Sequence, residues 1–297
     1  MSIGFIGLGV MGRPMAKNLL ARGHGVVVHS RSPAPVEELA AAGARAAASP
    51  ADVAHGATTI ITMLPDTPDV ERVLEGDRGV FSAVQPGSIL VDTSSIAPAA
   101  ARRLAARAKA LGATMLDAPV SGGEIGAIHA SLSIMVGGEE AAFRAVKPIL
   151  DAMGNPERVI RIGESGAGQI CKVCNQMVIG GTLAAVSEAF ALARKAGVDA
   201  ARVREALLGG FAASRVLEVH GERMLQGNYA PGFRARLYAK DLRIAAETLA
   251  EQESPAPVSA VVQQLVTALL AAGRGDDDYA ALATVLFDLA GVGEAAT

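Results

Sequence analysis

Two hydrophobic rhythms divide the chain. Up to about residue 162, short apolar runs of strand length alternate with stretches whose apolar residues recur at helical spacing. The runs Ser2–Ile6, Gly25–His29, Thr59–Met63, Ser88–Asp92, Thr114–Ala118, Ser131–Val136 and Arg158–Ile162 predict strands. Ala- and Arg-containing stretches such as Pro98–Ala110 predict helices between them. Pro65, Pro68, Pro86, Pro98 and Pro119 fall at strand ends or helix starts, where a missing N–H is tolerated. This alternation predicts βαβ units and a doubly wound, mostly parallel sheet, the α/β class.

After Gly163 the strand rhythm stops. A long helical pattern runs from Ala167 to Ala196, with Val173, Met177, Leu183, Val186, Phe190 and Ala193 among its apolar positions. Ala201–Leu208, Ser214–Leu225, Leu237–Glu251, Pro257–Ala272 and Tyr279–Leu289 follow as helices, punctuated by Gly197, Gly227, Pro231-Gly232 and Gly273–Gly275. The expected organisation is an α/β domain over 1–163 and an all-helical domain over 164–297, joined by the long helix. Asp276–Asp278 reads as a short acidic loop facing solvent.

Composition narrows the class. A length of 297 residues suits two domains, and a net charge of −3 leaves no electrostatic footprint for nucleic acid or an anionic membrane. Two cysteines exclude a disulfide scaffold and fit a reducing compartment. Hydrophobic residues make up 51%, but aromatics only 3%, so aliphatic side chains must fill the core. The apolar stretches are broken by Lys172, Glu188, Gln263 and Gln264, so no clean membrane span is expected. The apolar segment Met1–Gly12 has no basic segment before it and fits a signal peptide poorly. The expectation is a soluble, cytoplasmic protein.

The first chemical signal is Gly7-Leu8-Gly9-Val10-Met11-Gly12, between the first strand and a helix and with a second strand within about 30 residues. In a dinucleotide site Gly7 allows the tight turn, Gly9 lets the backbone approach a pyrophosphate, and Gly12 lets helix pack on strand. The helix N-terminus offers N–H groups to the anion. An ordinary glycine-rich turn is the alternative. An NAD site usually ends its second strand with a carboxylate for the ribose 2′-OH. Here the sequence is Ser30-Arg31-Ser32, with two hydroxyls and a guanidinium suited to a 2′-phosphate, so NADP(H) is preferred over NAD(H). A surface arginine beside a permissive NAD site is the competing interpretation.

Lys172, Asn175 and Gln176 stand at i, i+3 and i+4 and share a helix face. Reduction of a carbonyl builds negative charge on its oxygen, which a lysine stabilises and can protonate. The same spacing fits a lysine laid along a helix surface. Ser121-Gly122-Gly123 follows a strand end, where open α/β sheets bind ligands, and its glycines let backbone N–H groups approach a carboxylate. A plain turn is the alternative there, and a solvated face is the alternative for Lys240. Arg234 and Arg236 read as surface arginines. Cys171-x-x-Cys174 has no second pair and does not follow a thioredoxin-like strand, so packing explains it better than redox or zinc chemistry. His24, His29, His55, His129 and His220 are scattered and no metal is expected. No G-x-S-x-G or P-loop pattern is present, which argues against hydrolases and kinases.

Four blocks in order carry a resemblance. Gly4-Phe5-Ile6-Gly7-Leu8-Gly9-Val10-Met11-Gly12-Arg13-Pro14-Met15-Ala16-Lys17-Asn18-Leu19, Asp117-Ala118-Pro119-Val120-Ser121-Gly122-Gly123, Gly168-Gln169-Ile170-Cys171-Lys172-Val173-Cys174-Asn175-Gln176 and Lys240-Asp241-Leu242 resemble the β-hydroxyacid dehydrogenase (3-hydroxyisobutyrate dehydrogenase-like) family. The helical half, through Gly209–Met224 and Pro231–Arg234, most resembles the branch that reduces tartronate semialdehyde to glycerate. The resemblance implies a Rossmann domain, a long connecting helix and an all-α domain. It implies hydride transfer between a nicotinamide and a short hydroxyacid or semialdehyde, in a homodimer or homotetramer. It also implies a catalytic lysine at Lys172, a helper amide at Asn175 and a substrate loop at Ser121-Gly122-Gly123. Lys240 would lie near cofactor and substrate, and Leu64, Pro65 and Ser95 would line the nicotinamide side. The family often carries Asn or another neutral polar residue where this chain has Asp69. Rival functions are relatives acting on 3-hydroxyisobutyrate, succinic semialdehyde or glyoxylate, imine reduction, and a nucleotide-binding scaffold without catalysis.

Overall fold

The central strands of the first half are largely apolar because both faces of their sheet are covered. In a computed structural model, which describes residues 2–293, β1 (Ser2–Ile6) sends Ile3 and Phe5 into one apolar layer and Ile6 into the opposite one. The remaining strands are β2 (Gly25–His29), β3 (Arg45–Ala46), β4 (Thr59–Thr62), β5 (Ile89–Asp92), β6 (Thr114–Asp117), β7 (Val120–Ser121), β8 (Leu132–Gly137) and β9 (Gly154–Gly163). They form one sheet in the order β3-β2-β1-β4-β5-β6-β8-β7, with β9 beside β8. The first six are parallel, β8 runs antiparallel to β6 and β7, and β9 parallel to β8. The strand order reverses between β1 and β4, the crevice where such sheets bind ligands.

Contacts group the chain into two units, Met1–Lys172 and Val173–Thr297. The division falls inside the helix Ala167–Lys195, whose first turns belong to the sheet-bearing unit. The second unit contains the rest of that helix and the helices Ala200–Leu208, Arg215–Gln226, Ala235–Glu251, Pro257–Ala271 and Leu282–Ala290. Leu183, Phe190, Tyr238, Leu269 and Phe287 are in its core. A glycine at 180 permits one close helix approach, since a Cβ there would lie 2.1 Å from the Tyr238 hydroxyl oxygen. That hydroxyl donates to the Gln176 carbonyl at 2.9 Å, and burial pushes its pKa up.

Several expectations change. β3 and β7 were not legible: both are two-residue strands. Tyr279–Leu289 divides into a 3₁₀ turn at Tyr279–Ala281 and the helix Leu282–Ala290. By length and composition Ala167–Lys195 is apolar enough to cross a membrane, contrary to the reading of broken apolar stretches. Its apolar positions Leu183, Phe190 and Ala193 are occupied in the helical core. The acidic loop is not simply solvated. Asp276 pairs with Arg234 and Arg236, and Asp277 with Arg274. Asp278 is only 1% exposed, because its carboxylate accepts the backbone N–H groups of Gly232, Phe233 and Ala280.

Candidate active site

The sheet-bearing unit gathers the predicted cofactor residues at the carboxyl ends of neighbouring strands. Gly7–Gly12 follows β1, Ser30–Ser32 follows β2, Leu64-Pro65 follows β4, and Ser95 follows β5. The glycines divide by role. Gly7 has φ +99°, and a Cβ on Gly12 would fall 1.9 Å from the Gly7 carbonyl oxygen, so the turn's own packing requires both. A Cβ on Gly9 would meet nothing within 4 Å. The bare backbone there faces open space, as a cradle for a pyrophosphate requires. Leu8 is buried beneath the turn, while Val10 is exposed and Met11 half-buried. The helix Gly12–Ala21 has neither a side-chain cap nor an acidic residue in its first turn, so no side chain competes with an anion for its N-terminus.

At the end of β2, Arg31 is 80% exposed and stands 3.9 Å from Asp69, which pairs more closely with Arg72 at 3.0 Å. Ser32 heads the helix Pro33–Ala41 without giving its hydroxyl to a cap bond. Ser30, Arg31 and Ser32 thus present two hydroxyls and a guanidinium, donors that fit a phosphate, with Asp69 as a competing anion.

A buried polar network adjoins the residues expected on the nicotinamide side. Asp92 accepts from the Thr62 hydroxyl at 2.7 Å and from the Ser94 N–H at 3.2 Å. The Ser94 hydroxyl accepts the Leu64 N–H at 2.9 Å. Gln169 donates to the Ser94 carbonyl at 2.8 Å and accepts the Ile96 N–H at 3.1 Å. Asp117 accepts the N–H groups of Gly166 at 2.7 Å and Gln169 at 2.9 Å, capping the start of Ala167–Lys195. Lys172 is half-buried one turn beyond Gln169. Burial raises the pKa of both carboxyls, that of Asp92 to about 6. Sequence reasoning assigned no role to Asp92, Ser94, Gln169 or Asp117; polar residues at the ends of apolar runs were the available signal.

Ser121-Gly122-Gly123 lies where β7 gives way to the short helix Gly123–Ile128. Gly122 has φ +137° and Gly123 φ +62°, conformations that side-chain-bearing residues rarely adopt. Both are accessible, and Ser121 is half-buried.

In the helical unit, two blocks far apart in sequence meet. The Asn175 amide donates to Gln176 Oε1 at 2.8 Å. Gln176 Nε2 donates to Asp241 Oδ2 in a short bond. Lys240 Nζ stands 2.8 Å from Asp241 Oδ1. Asn175 and Lys240, both expected site residues, are therefore linked through Gln176 and Asp241, each 4% exposed. Lys240 has only 13% of its side chain exposed, so it is not on a solvated face. Cys171 and Cys174 form no disulfide. Among the described residues no group of three or more His, Cys, Asp or Glu side chains is placed to hold a metal.

A doubly wound sheet with a glycine-rich turn at its switch point defines a dinucleotide-binding protein of the Rossmann type. Residues 2–173 match the family described as the NAD binding domain of 6-phosphogluconate dehydrogenase. Residues 166–286 match the NAD-binding domain of NADP-dependent 3-hydroxyisobutyrate dehydrogenase. The chain is 45% identical to 2-hydroxy-3-oxopropionate reductase of Escherichia coli over 96% of its length and 97% of that protein's. It is 37% identical to NAD-dependent L-serine dehydrogenase of Pseudomonas aeruginosa, over 96% and 97% of the two chains. A solved structure of Mycobacterium tuberculosis 3-hydroxyisobutyrate dehydrogenase with L-serine superposes with a TM-score of 0.89 at 34% identity, covering 96% of this chain and 98% of that one. The chain belongs to the β-hydroxyacid dehydrogenase family of NAD(P)-dependent oxidoreductases.

Proposed function

We propose that the protein is an NADPH-preferring reductase that converts tartronate semialdehyde (2-hydroxy-3-oxopropanoate) to glycerate, reversibly. The observation that carries the substrate is the 45% identity to the E. coli 2-hydroxy-3-oxopropionate reductase across nearly both chains. When bound, the cofactor supplies the hydride. The Gly7–Gly12 backbone and the helix behind it hold the pyrophosphate, and Ser30, Arg31 and Ser32 hold the 2′-phosphate. Leu64, Pro65 and Ser95 would flank the nicotinamide, and Lys240 is assigned a cofactor and substrate role by the family resemblance. Ser121, Gly122 and Gly123 receive the substrate carboxylate through the hydroxyl and backbone N–H groups. Lys172 Nζ gives its proton to the aldehyde oxygen as that oxygen becomes an alkoxide, and Asn175 orients the ammonium or the substrate hydroxyl.

The protein works in the cytoplasm as a homodimer or homotetramer. The exposed apolar side chains Val178, Leu192, Val258, Val261 and Leu289 on the helical unit support assembly. The test is a panel of tartronate, succinic and methylmalonic semialdehydes and glyoxylate, assayed with NADPH and NADH. The highest kcat/KM is expected for tartronate semialdehyde with NADPH. A higher value for another member would assign the protein to that relative's activity.

A further inference from the structure

The link from Asp241 through Gln176 to Asn175 has a direction. We propose that Asp241 is a positioning residue that fixes which way the Asn175 side-chain amide faces, with Gln176 as the relay; this rests on Asn175 belonging to the active site. A carboxylate only accepts hydrogen bonds. Gln176 must therefore turn its NH₂ group toward Asp241, as observed. Its Oε1 then faces Asn175, and an oxygen there can only receive a donor. Asn175 must answer with its own NH₂, at 2.8 Å. That leaves Asn175 Oδ1 as the acceptor it offers to a substrate hydroxyl or a lysine ammonium.

The environment holds this polarity. Gln176 and Asp241 are each 4% exposed, so water cannot readily substitute for a misoriented partner. The Tyr238 hydroxyl bonds the Gln176 backbone carbonyl at 2.9 Å and pins the same helical turn. Lys240 Nζ forms an ion pair with Asp241 at 2.8 Å from Oδ1, an oxygen buried without a hydrogen-bond partner, while Oδ2 accepts from Gln176. One charge, remote from Asn175 in sequence and acting on it through Gln176, thereby decides whether the helix surface offers an acceptor or a donor.

The test uses the full-length enzyme with saturating NADPH and tartronate semialdehyde, reading kcat and KM separately. Asn175→Asp places a carboxylate oxygen against Gln176 Oε1 and should lower kcat strongly. Adding Asp241→Asn frees Gln176 to reverse. The new amide at position 241 donates to the Gln176 oxygen, and the Gln176 NH₂ donates to the new carboxylate at position 175. The double variant should recover roughly tenfold in kcat over Asn175→Asp alone, in the range of couplings between hydrogen-bonded neighbours. A purely structural role for Asp241 predicts the opposite, a second loss added to the first, and that result would overturn the proposal. Thermal melting and NADPH binding establish that each variant is folded. Should Asp241→Asn not fold, Gln176→Met serves instead: it removes relay and polarity together and should reduce kcat while NADPH binding persists, and unchanged kcat would overturn the proposal. Asn175→Ala distinguishes the underlying assignment. Wild-type kcat in that variant removes Asn175 from the site and takes the relay with it, whereas impaired Asn175→Ala without recovery in the double variant rejects the relay alone.

Discussion

The Asp117 carboxylate accepts the Gln169 backbone N–H at 2.9 Å across 52 residues of chain. With its second bond, to the Gly166 N–H at 2.7 Å, it caps the helix that carries Lys172 from outside that helix. Gly168 fits beside it only without a side chain, since a Cβ would lie 2.3 Å from the Met135 carbonyl oxygen. Asp117→Ala leaves two buried N–H groups unpaired and should cost about 3 kcal/mol or more. Urea unfolding checks this; a loss under about 1 kcal/mol would mean that the helix start is held by other groups.

Asp92 predicts a pH dependence of stability. Burial raises its pKa from 3.8 to about 6, while Oδ2 is buried without a hydrogen-bond partner. Between those two values the folded state binds the proton and the unfolded state has released it. Stability therefore falls as pH rises through that window, by ~3 kcal/mol at most, and levels off above it. Asp117, also raised by burial, acts with the same sign. Asp92→Asn keeps an oxygen for Thr62 and Ser94 and should flatten the slope. Unfolding curves at pH 4, 5, 6 and 7 measure it, and equal slopes for variant and wild type would remove Asp92 as the cause.

Arg31 and Asp69 predict how the cofactor is chosen. Arg31→Ala should lose most of a roughly 10- to 100-fold preference for NADPH, with NADH kinetics nearly intact, because a charge-assisted pair contributes about 1.5–3 kcal/mol. Asp69 stands 3.9 Å from that guanidinium and repels a phosphate. Asp69→Asn should therefore strengthen NADPH binding by a few-fold and leave NADH unchanged. Fluorescence titration of both cofactors separates the effects; equal affinities in the wild type would place Arg31 in solvent.

The loop at Ser121-Gly122-Gly123 predicts a KM effect. Ser121→Ala should raise KM for an acidic semialdehyde. Gly122→Val should raise it further, because φ is +137° and a Cβ there would press on Leu132 at 3.1 Å. Wild-type KM in both folded variants would move the carboxylate site elsewhere.

Periodicity made most parallel strands and most helices legible, since strands such as β1 and β4 are short, mostly apolar runs buried along nearly their whole length. It missed β3, whose Arg45 and Ala46 are exposed and carry no burial pattern. It missed β7, a two-residue strand directly after Pro119, which read as the end of the strand before it. Asp278 was misjudged because the N–H groups that bury it come from Gly232 and Phe233, distant in sequence. The same limit applies to the site. Helical spacing alone put Asn175 and Gln176 on the face of Lys172, but the bond from Gln176 to Asp241 spans 65 residues and is visible only in the fold.

The central claim is that Lys172 protonates the substrate oxygen during NADPH-dependent reduction. Steady-state kcat of Lys172→Ala with tartronate semialdehyde, measured beside NADPH affinity, tests it most directly. The expected result is a fall in kcat of roughly 10²-fold or more, the scale for losing a general acid, with NADPH affinity essentially unchanged. Near-wild-type kcat in the folded variant would contradict the account.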